Sequence, residues 1–429
     1  MMQNIAFPCM LEARQKYPAS IPLDNRATLQ QAFDSAGVLR GLKPGARIAV
    51  AVGSRGITSL ASIVTSVLGI LKGAGARPFI VPAMGSHGGA TPDGQCELLA
   101  GYGITEKLGV PIESAMEVEK LGTTDDGVDL FFSTAALRAD GIIVVNRVKP
   151  HTDFGGASGS GIMKMIVVGL GKRAGAVNFH AVASRLGYEH ALLSMARLAI
   201  NRAPILGGVA ILENQRHETA RLAVLKPGTI EEDEKALLEE AWRLMPKLPS
   251  LDIDLLIVDR LGKNVSGTGM DPNVIGRSIQ GYSSSLHRDD DSPFIRRIFV
   301  RDLTPETHGN AIGIGLADFT TTRLVKAINL ATSYVNSLTA LTIQSCKIPI
   351  HFDTDYEAIV QALTTLAMPD TRRARVVRIK DTLSLEKLEI SEAYAQQMDH
   401  TGILEVSGSA SEMRFDQNNN LLPLPDQVR

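Results

Sequence analysis

The sequence predicts an α/β protein of two domains, each a mainly parallel twisted sheet flanked by helices, with the functional site expected in the cleft between them. Apolar runs of strand length alternate with longer helical patterns, as a doubly wound sheet requires. The alternation restarts after a short Pro-containing connector at residues 247–250. At 429 residues the chain is also long for a single hydrophobic core.

Residues 47–52, RIAVAV, read as a strand and 57–72 as a helix with an apolar stripe. Residues 78–82 read as the next strand and 92–100 as the next helix, opened by Thr91 as N-cap with Pro92 at the first helical position. The apolar run 141–148 is a buried strand, 206–212 and 221–225 are further strands, and 230–245 is a charged amphipathic helix ending before Pro246. Beyond the connector, 253–258 and 298–300 read as strands, 318–338 as largely helical and 355–366 as a helix. The domains expected are therefore 1–249, joined by the tail 400–429 draping back over it, and 250–399.

A formal net charge of −2, with both signs spread along the chain, argues against a nucleic-acid or membrane-surface footprint and for a small-molecule partner. Cys9, Cys96 and Cys346 have neither disulfide-like nor metal-like spacing, which fits a reducing compartment. The first residues lack a basic flank followed by a long apolar stretch, and no apolar run reaches the roughly 18 residues of a membrane span. A cytoplasmic protein, monomer or homo-oligomer, is expected.

The unusual residues lie in Gly-rich stretches between the elements. In 146–181, NRVKPHTDFGGASGSGIMKMIVVGLGKRAGAVNFHA, the strand 141–148 delivers His151 at its C-terminal end, where open α/β sheets bind ligands. Lys164 and His180 follow in the same stretch. Met84 to Thr91, MGSHGGAT, carries Ser86, His87 and Gly88 between a strand and a helix N-terminus, a place that favours anions. Arg55 occupies another strand-to-helix turn on the same sheet edge. The long loop 262–277, GKNVSGTGMDPNVIGR, brings Lys263, Asn264, Asp271, Asn273 and Arg277, polar enough to clamp a carboxylate or phosphate.

Each signal has a plainer competitor. A histidine in a Gly-rich loop can be merely solvated, Lys164 amid Ile162, Met163, Met165 and Ile166 can snorkel from an apolar helix, and His180 can pack a helix. The glycines can serve tight turns alone. Together, however, the residues have a chemical logic. Inverting a carbon stereocentre needs an acid/base group on each face of the substrate, and His87 and His151 have suitable side chains. Arg55, with Asn273 or Arg277, would fix a carboxylate.

With these residues the chain resembles the nickel-pincer-nucleotide-dependent lactate racemase superfamily, as a divergent member. The resemblance implies His87 and His151 as acid/base histidines, Lys164 as the lysine that covalently holds the nickel-pincer nucleotide, and His180 as the protein ligand to nickel. It matches Arg55 to the early active-site arginine and places Ser86 and Gly88 near the cofactor. It implies a racemase or epimerase that inverts C2 of a 2-hydroxy acid by reversible hydride transfer through a 2-keto acid, served by cofactor-synthesis enzymes. Val52 stands where the lactate enzymes have aspartate, and the 262–277 loop departs from their pattern, so a substrate other than lactate is expected, such as a sugar acid suited to the polar Asn264, Asp271 and Asn273, with Lys263, Asn273 and Arg277 as substrate-binding candidates. Two other classes stay open: a metal-dependent enzyme with a three-histidine site of His87, His151 and His180, and a non-catalytic small-molecule-binding paralogue.

Overall fold

Residues 48–52 are apolar on both faces because the strand they belong to is covered by helices on both sides of a parallel sheet. The computed structural model describes residues 5–53, 56–152, 159–250, 252–277, 293–398 and 401–424. Its strands are β1 (Met10–Gln15), β2 (Arg47–Val52), β3 (Arg77–Pro82), β4 (Val118–Thr123) and β5 (Asp129–Ser133). Then follow β6 (Gly141–Arg147), β7 (Ile205–Glu213), β8 (Thr219–Leu225), β9 (Asp252–Leu261) and β10 (Phe294–Leu303). The last are β11 (Phe319–Thr321), β12 (Ile350–Phe352), β13 (Val376–Ile379), β14 (Lys387–Ser391) and β15 (Leu404–Ser411).

Two compact units divide the chain, 19–245 and 1–18 with 246–429. The first holds a five-stranded sheet ordered β3-β2-β6-β7-β8, parallel except for β8. Successive connections leave β2 in opposite directions, so the ends of β2 and β6 form the topological switch point where such sheets bind ligands. One face is packed by the helices Asn25–Ala36 and Leu60–Gly73 through Leu29, Phe33, Ile63, Val67 and Leu71. The other is packed by Lys172–Leu186, Tyr188–Arg202 and Ile230–Leu244 through Phe179, Val182, Leu192, Met195 and Leu237. β4 and β5 form a separate antiparallel ribbon.

The second unit has an eight-stranded mixed sheet ordered β12-β11-β10-β9-β13-β14-β1-β15. A buried ion network ties it together: Arg378 pairs with Asp259 at 2.8 Å and Glu389 at 2.8 Å, and Arg301 bridges Asp259 at 3.0 Å and Asp355 at 2.6 Å. Such a network fixes register, because removing one member would leave an unpaired buried charge.

Three readings of the sequence change here. Residues 10–15 and the tail do not join the first unit; β1 and β15 pair with each other in the second, because their mates lie far along the chain. Residues 318–338 are not one helical stretch: β11 comes first, Thr321 caps a short helix, Thr322–Ala327, and Asn329 caps a new one, Leu330–Thr339. The helix expected from 57 begins at Leu60. The three cysteines are half-buried thiols, and no helix among the described residues is long and apolar enough to cross a membrane.

Candidate active site

At the C-terminal end of β6 the chain runs through Val148 to His151, which is buried at 8% exposure. It returns as Lys149 and Ser160 exchange backbone hydrogen bonds of 3.0 and 2.8 Å, then enters the helical turn Ile162–Lys164. That return sets Lys164 Nζ 2.7 Å from His151 Nε2. Which of the two nitrogens donates depends on the imidazole tautomer and on the charge of the amine.

The Lys164 turn is held at its start. Glu234 is 4% exposed and reaches from the helix Ile230–Leu244 to accept from Met163 N at 3.0 Å and from Ile162 N. These are amides that a helix N-terminus leaves without partners. Burial pushes the Glu234 carboxyl up to about 7, while the two amides pull the other way. Asn146 Nδ2 donates to Gly161 O at 3.1 Å, and its Oδ1, buried at the end of β6, has no hydrogen-bond partner among the described residues.

After Lys164 the backbone widens into a π-helical turn, Met165–Gly169, with Leu170 N donating to Met165 O at 2.9 Å. Such turns are uncommon and cluster at functional sites. The helix Lys172–Leu186 then presents His180, whose imidazole burial pushes down to about 4, with the Lys164 charge adding to the effect. His180 is therefore a neutral ring. Phe179 contacts both His180 and Tyr188 through its ring, at 5.7 and 5.5 Å between centroids, and Tyr188 lies 4.7 Å from the His151 ring. Tyr188 Oη donates to Gly159 O at 3.2 Å.

His87 follows the end of β3. Its turn is joined to the segment beyond Lys164, with Gly85 N donating to Gly169 O at 3.2 Å. Gly88 must be glycine: its φ is +63°, and a Cβ there would fall 2.5 Å from the carbonyl carbon of Gly94. Ser86 is exposed. Arg55 lies outside the described residues.

The structure thus brings together His151, Lys164 and the neutral His180, with the His87 turn packed on the segment that links the last two. Among the described residues no three His, Cys, Asp or Glu side chains gather to hold a metal ion, so His87, His151 and His180 do not form a three-histidine site. In the second unit, Lys263 Nζ donates to Asn336 Oδ1, and Asn273 N donates to Asp271 Oδ1 at 3.1 Å. Arg277 is spent on structure: it donates to Asp318 Oδ2 at 2.6 Å, Leu316 O at 2.6 Å and Ile295 O at 3.2 Å. Those bonds compete with the substrate-clamping role expected from its sequence position.

Sequence reasoning missed Tyr188, Glu234 and Asn146. Glu234 carried a signal, since it occupies the apolar stripe of its helix at the spacing of Ile230, Leu237, Leu238 and Ala241.

A strand-end site on an α/β sheet, with a lysine paired to a buried histidine and a neutral histidine one helix further on, has the groups that acid/base or covalent chemistry on a small ligand requires. Residues 16–189, which contain His87, His151, Lys164 and His180, match the family model of the lactate racemase N-terminal domain. Over that segment the chain is similar to the lactate racemase N-terminal domain. The lactate racemase apoprotein from Thermoanaerobacterium thermosaccharolyticum is similar in fold, at 12% identity and a TM-score of 0.51, over 88% of this chain and 99% of that one. No curated protein sequence matches the chain.

Proposed function

We propose that this protein is a cytoplasmic racemase or epimerase that inverts C2 of a 2-hydroxy acid through a 2-keto acid, using a nickel-pincer nucleotide attached at Lys164. The observation that carries the reading is the 2.7 Å pairing of Lys164 with His151. The residues fit the cofactor. Lys164 offers an amine at a strand-end site, His180 offers a neutral imidazole suited to nickel, and Asn146 Oδ1, without a partner among the described residues, offers an acceptor nearby on β6.

When bound, the nucleotide supplies a reversible hydride acceptor, which avoids removing a weakly acidic C2 proton beside an ionised carboxylate. His151, a base when neutral, takes the proton of the substrate hydroxyl on one face, and His87 serves the other. Arg55, Ser86 and Gly88 complete the cofactor side. Glu234 and Asn146 hold the backbone on which Lys164 stands. Lys263 and Asn273 are the candidates for contacting a substrate more polar than lactate, such as a sugar acid.

The deciding experiment is intact-mass and metal analysis of protein co-produced with the cofactor-synthesis enzymes, beside Lys164→Ala. A nucleotide-sized adduct with nickel, absent from the variant, supports the reading. No adduct and no nickel, with a lactate racemase loading normally alongside, removes it.

A further inference from the structure

Lys172 is fully buried and has no role in the chemistry above. It opens the helix Lys172–Leu186 with a φ of +52°, on the segment that links Lys164 to His180. Its Nζ donates to Pro82 O, the last residue of β3, at 2.7 Å and to Gln95 Oε1 at 3.3 Å. Gln95 is also fully buried, and its Nε2 donates to Gly85 O at 3.1 Å and His87 O at 3.3 Å. A continuous polar chain therefore runs from the cofactor-side helix to the backbone of the His87 turn.

Burying an ammonium against neutral oxygens is costly, and burial pushes its pKa down to about 8 despite the Cys96 and Glu117 charges acting the other way. A methionine would fill similar space without that penalty. What the ammonium adds is direction. It holds the end of β3, and it orients Gln95 so that both amide hydrogens point at turn carbonyls.

We propose that Lys172, acting through Gln95, is a positioning residue that fixes the His87 turn against the segment carrying Lys164 and His180. The inference rests on His87 as an acid/base group for its consequence in catalysis, and on geometry alone for the clamp.

The test is hydrogen exchange of cofactor-free full-length protein as Lys172→Met and as Gln95→Glu. Gln95→Glu gives Lys172 a carboxylate partner while removing both donors to the turn, so it separates positioning from stability and stands in if Lys172→Met does not fold. The expected result is at least tenfold faster exchange of the His87 and Ala90 amides in both variants, with β7 amides unchanged. The midpoint of the His87 imidazole titration by NMR should move as well. Wild-type exchange of those amides, or acceleration shared equally by β7, would overturn the clamp. In loaded protein, kcat should fall at least tenfold with KM little changed. Loaded wild type that fails to turn over any 2-hydroxy acid would defeat the functional reading and leave the exchange result standing.

Discussion

The carboxylate of Glu234 stands where a side chain on residue 161 would have to go: a Cβ on Gly161 would fall 2.5 Å from Glu234 Cδ. The glycine and the buried acid are therefore one device, which seats the Lys164 turn by accepting its first free amides.

Gly161→Ala should cost about 1–3 kcal/mol, as overpacking of a filled interior does, and should lower Lys164 adduct formation. Urea unfolding of the cofactor-free protein and intact mass after co-production would measure the two effects. Loss of stability with full loading would separate the cap from lysine placement.

Glu234 also makes stability depend on pH. Its folded pKa, near 7, lies above its ordinary value of 4.5, so the fold binds the proton more tightly than the unfolded chain does. The contribution is fully present below about 4.5 and is lost as pH rises through about 7. Between pH 4.5 and 8, wild type should lose on the order of 2–3 kcal/mol more than Glu234→Gln. Denaturant midpoints at the two pH values would show it, and equal slopes would refute it.

His180 works in the opposite sense. Its folded pKa, near 4, lies below 6.5, so its contribution is present above pH 6.5 and lost as pH falls through 4. NMR of labelled histidines should show one ring still neutral at pH 5.5, and its signal should vanish in His180→Ala. A ring titrating near 6.5 would show that burial does not protect it.

Removing the imidazole of the Lys164 partner should act on chemistry rather than attachment. His151→Gln is expected to retain the Lys164 adduct and lower kcat on a 2-hydroxy acid substrate by about 100-fold or more, the usual range for a general base. Adduct mass and steady-state kinetics on the same preparation would decide. Near-normal turnover would exclude His151 from proton transfer.

Arg277→Ala should cost about 1.5–3 kcal/mol through its lost bonds to Asp318 and two carbonyls. Lys164 loading should be unaffected. Thermal unfolding beside intact mass would test this, and an unchanged melting temperature would show that these contacts contribute little.

The central strands were legible because a parallel strand covered on both faces must be continuously apolar, as in residues 48–52 and 141–145. The apolar runs 78–82 and 141–148 also located the turns after them, and so the stretches carrying His87 and His151. The outer strands of the second unit were not legible. β1 alternates weakly, and its pairing with Lys387–Ser391 and Leu404–Ser411 is set by residues more than 370 positions away. Tyr188 gave no local sign, since its meeting with His151 depends on the chain reversal at Gly187, where φ is +86°. Arg277 looked like a ligand clamp because sequence shows its charge but not Asp318 beside it.

The interleaved second unit also imposes an order on biosynthesis. Residues 19–245 are contiguous, so the five-stranded sheet can close while the ribosome is still translating the rest. β1 emerges before that sheet yet has no mates until residues 387–411 have been made. The segment bearing Lys164 can thus be folded long before the chain is complete, while its earliest strand waits unpaired. Chaperone demand during synthesis should therefore fall on the opening residues rather than on the Lys164 segment.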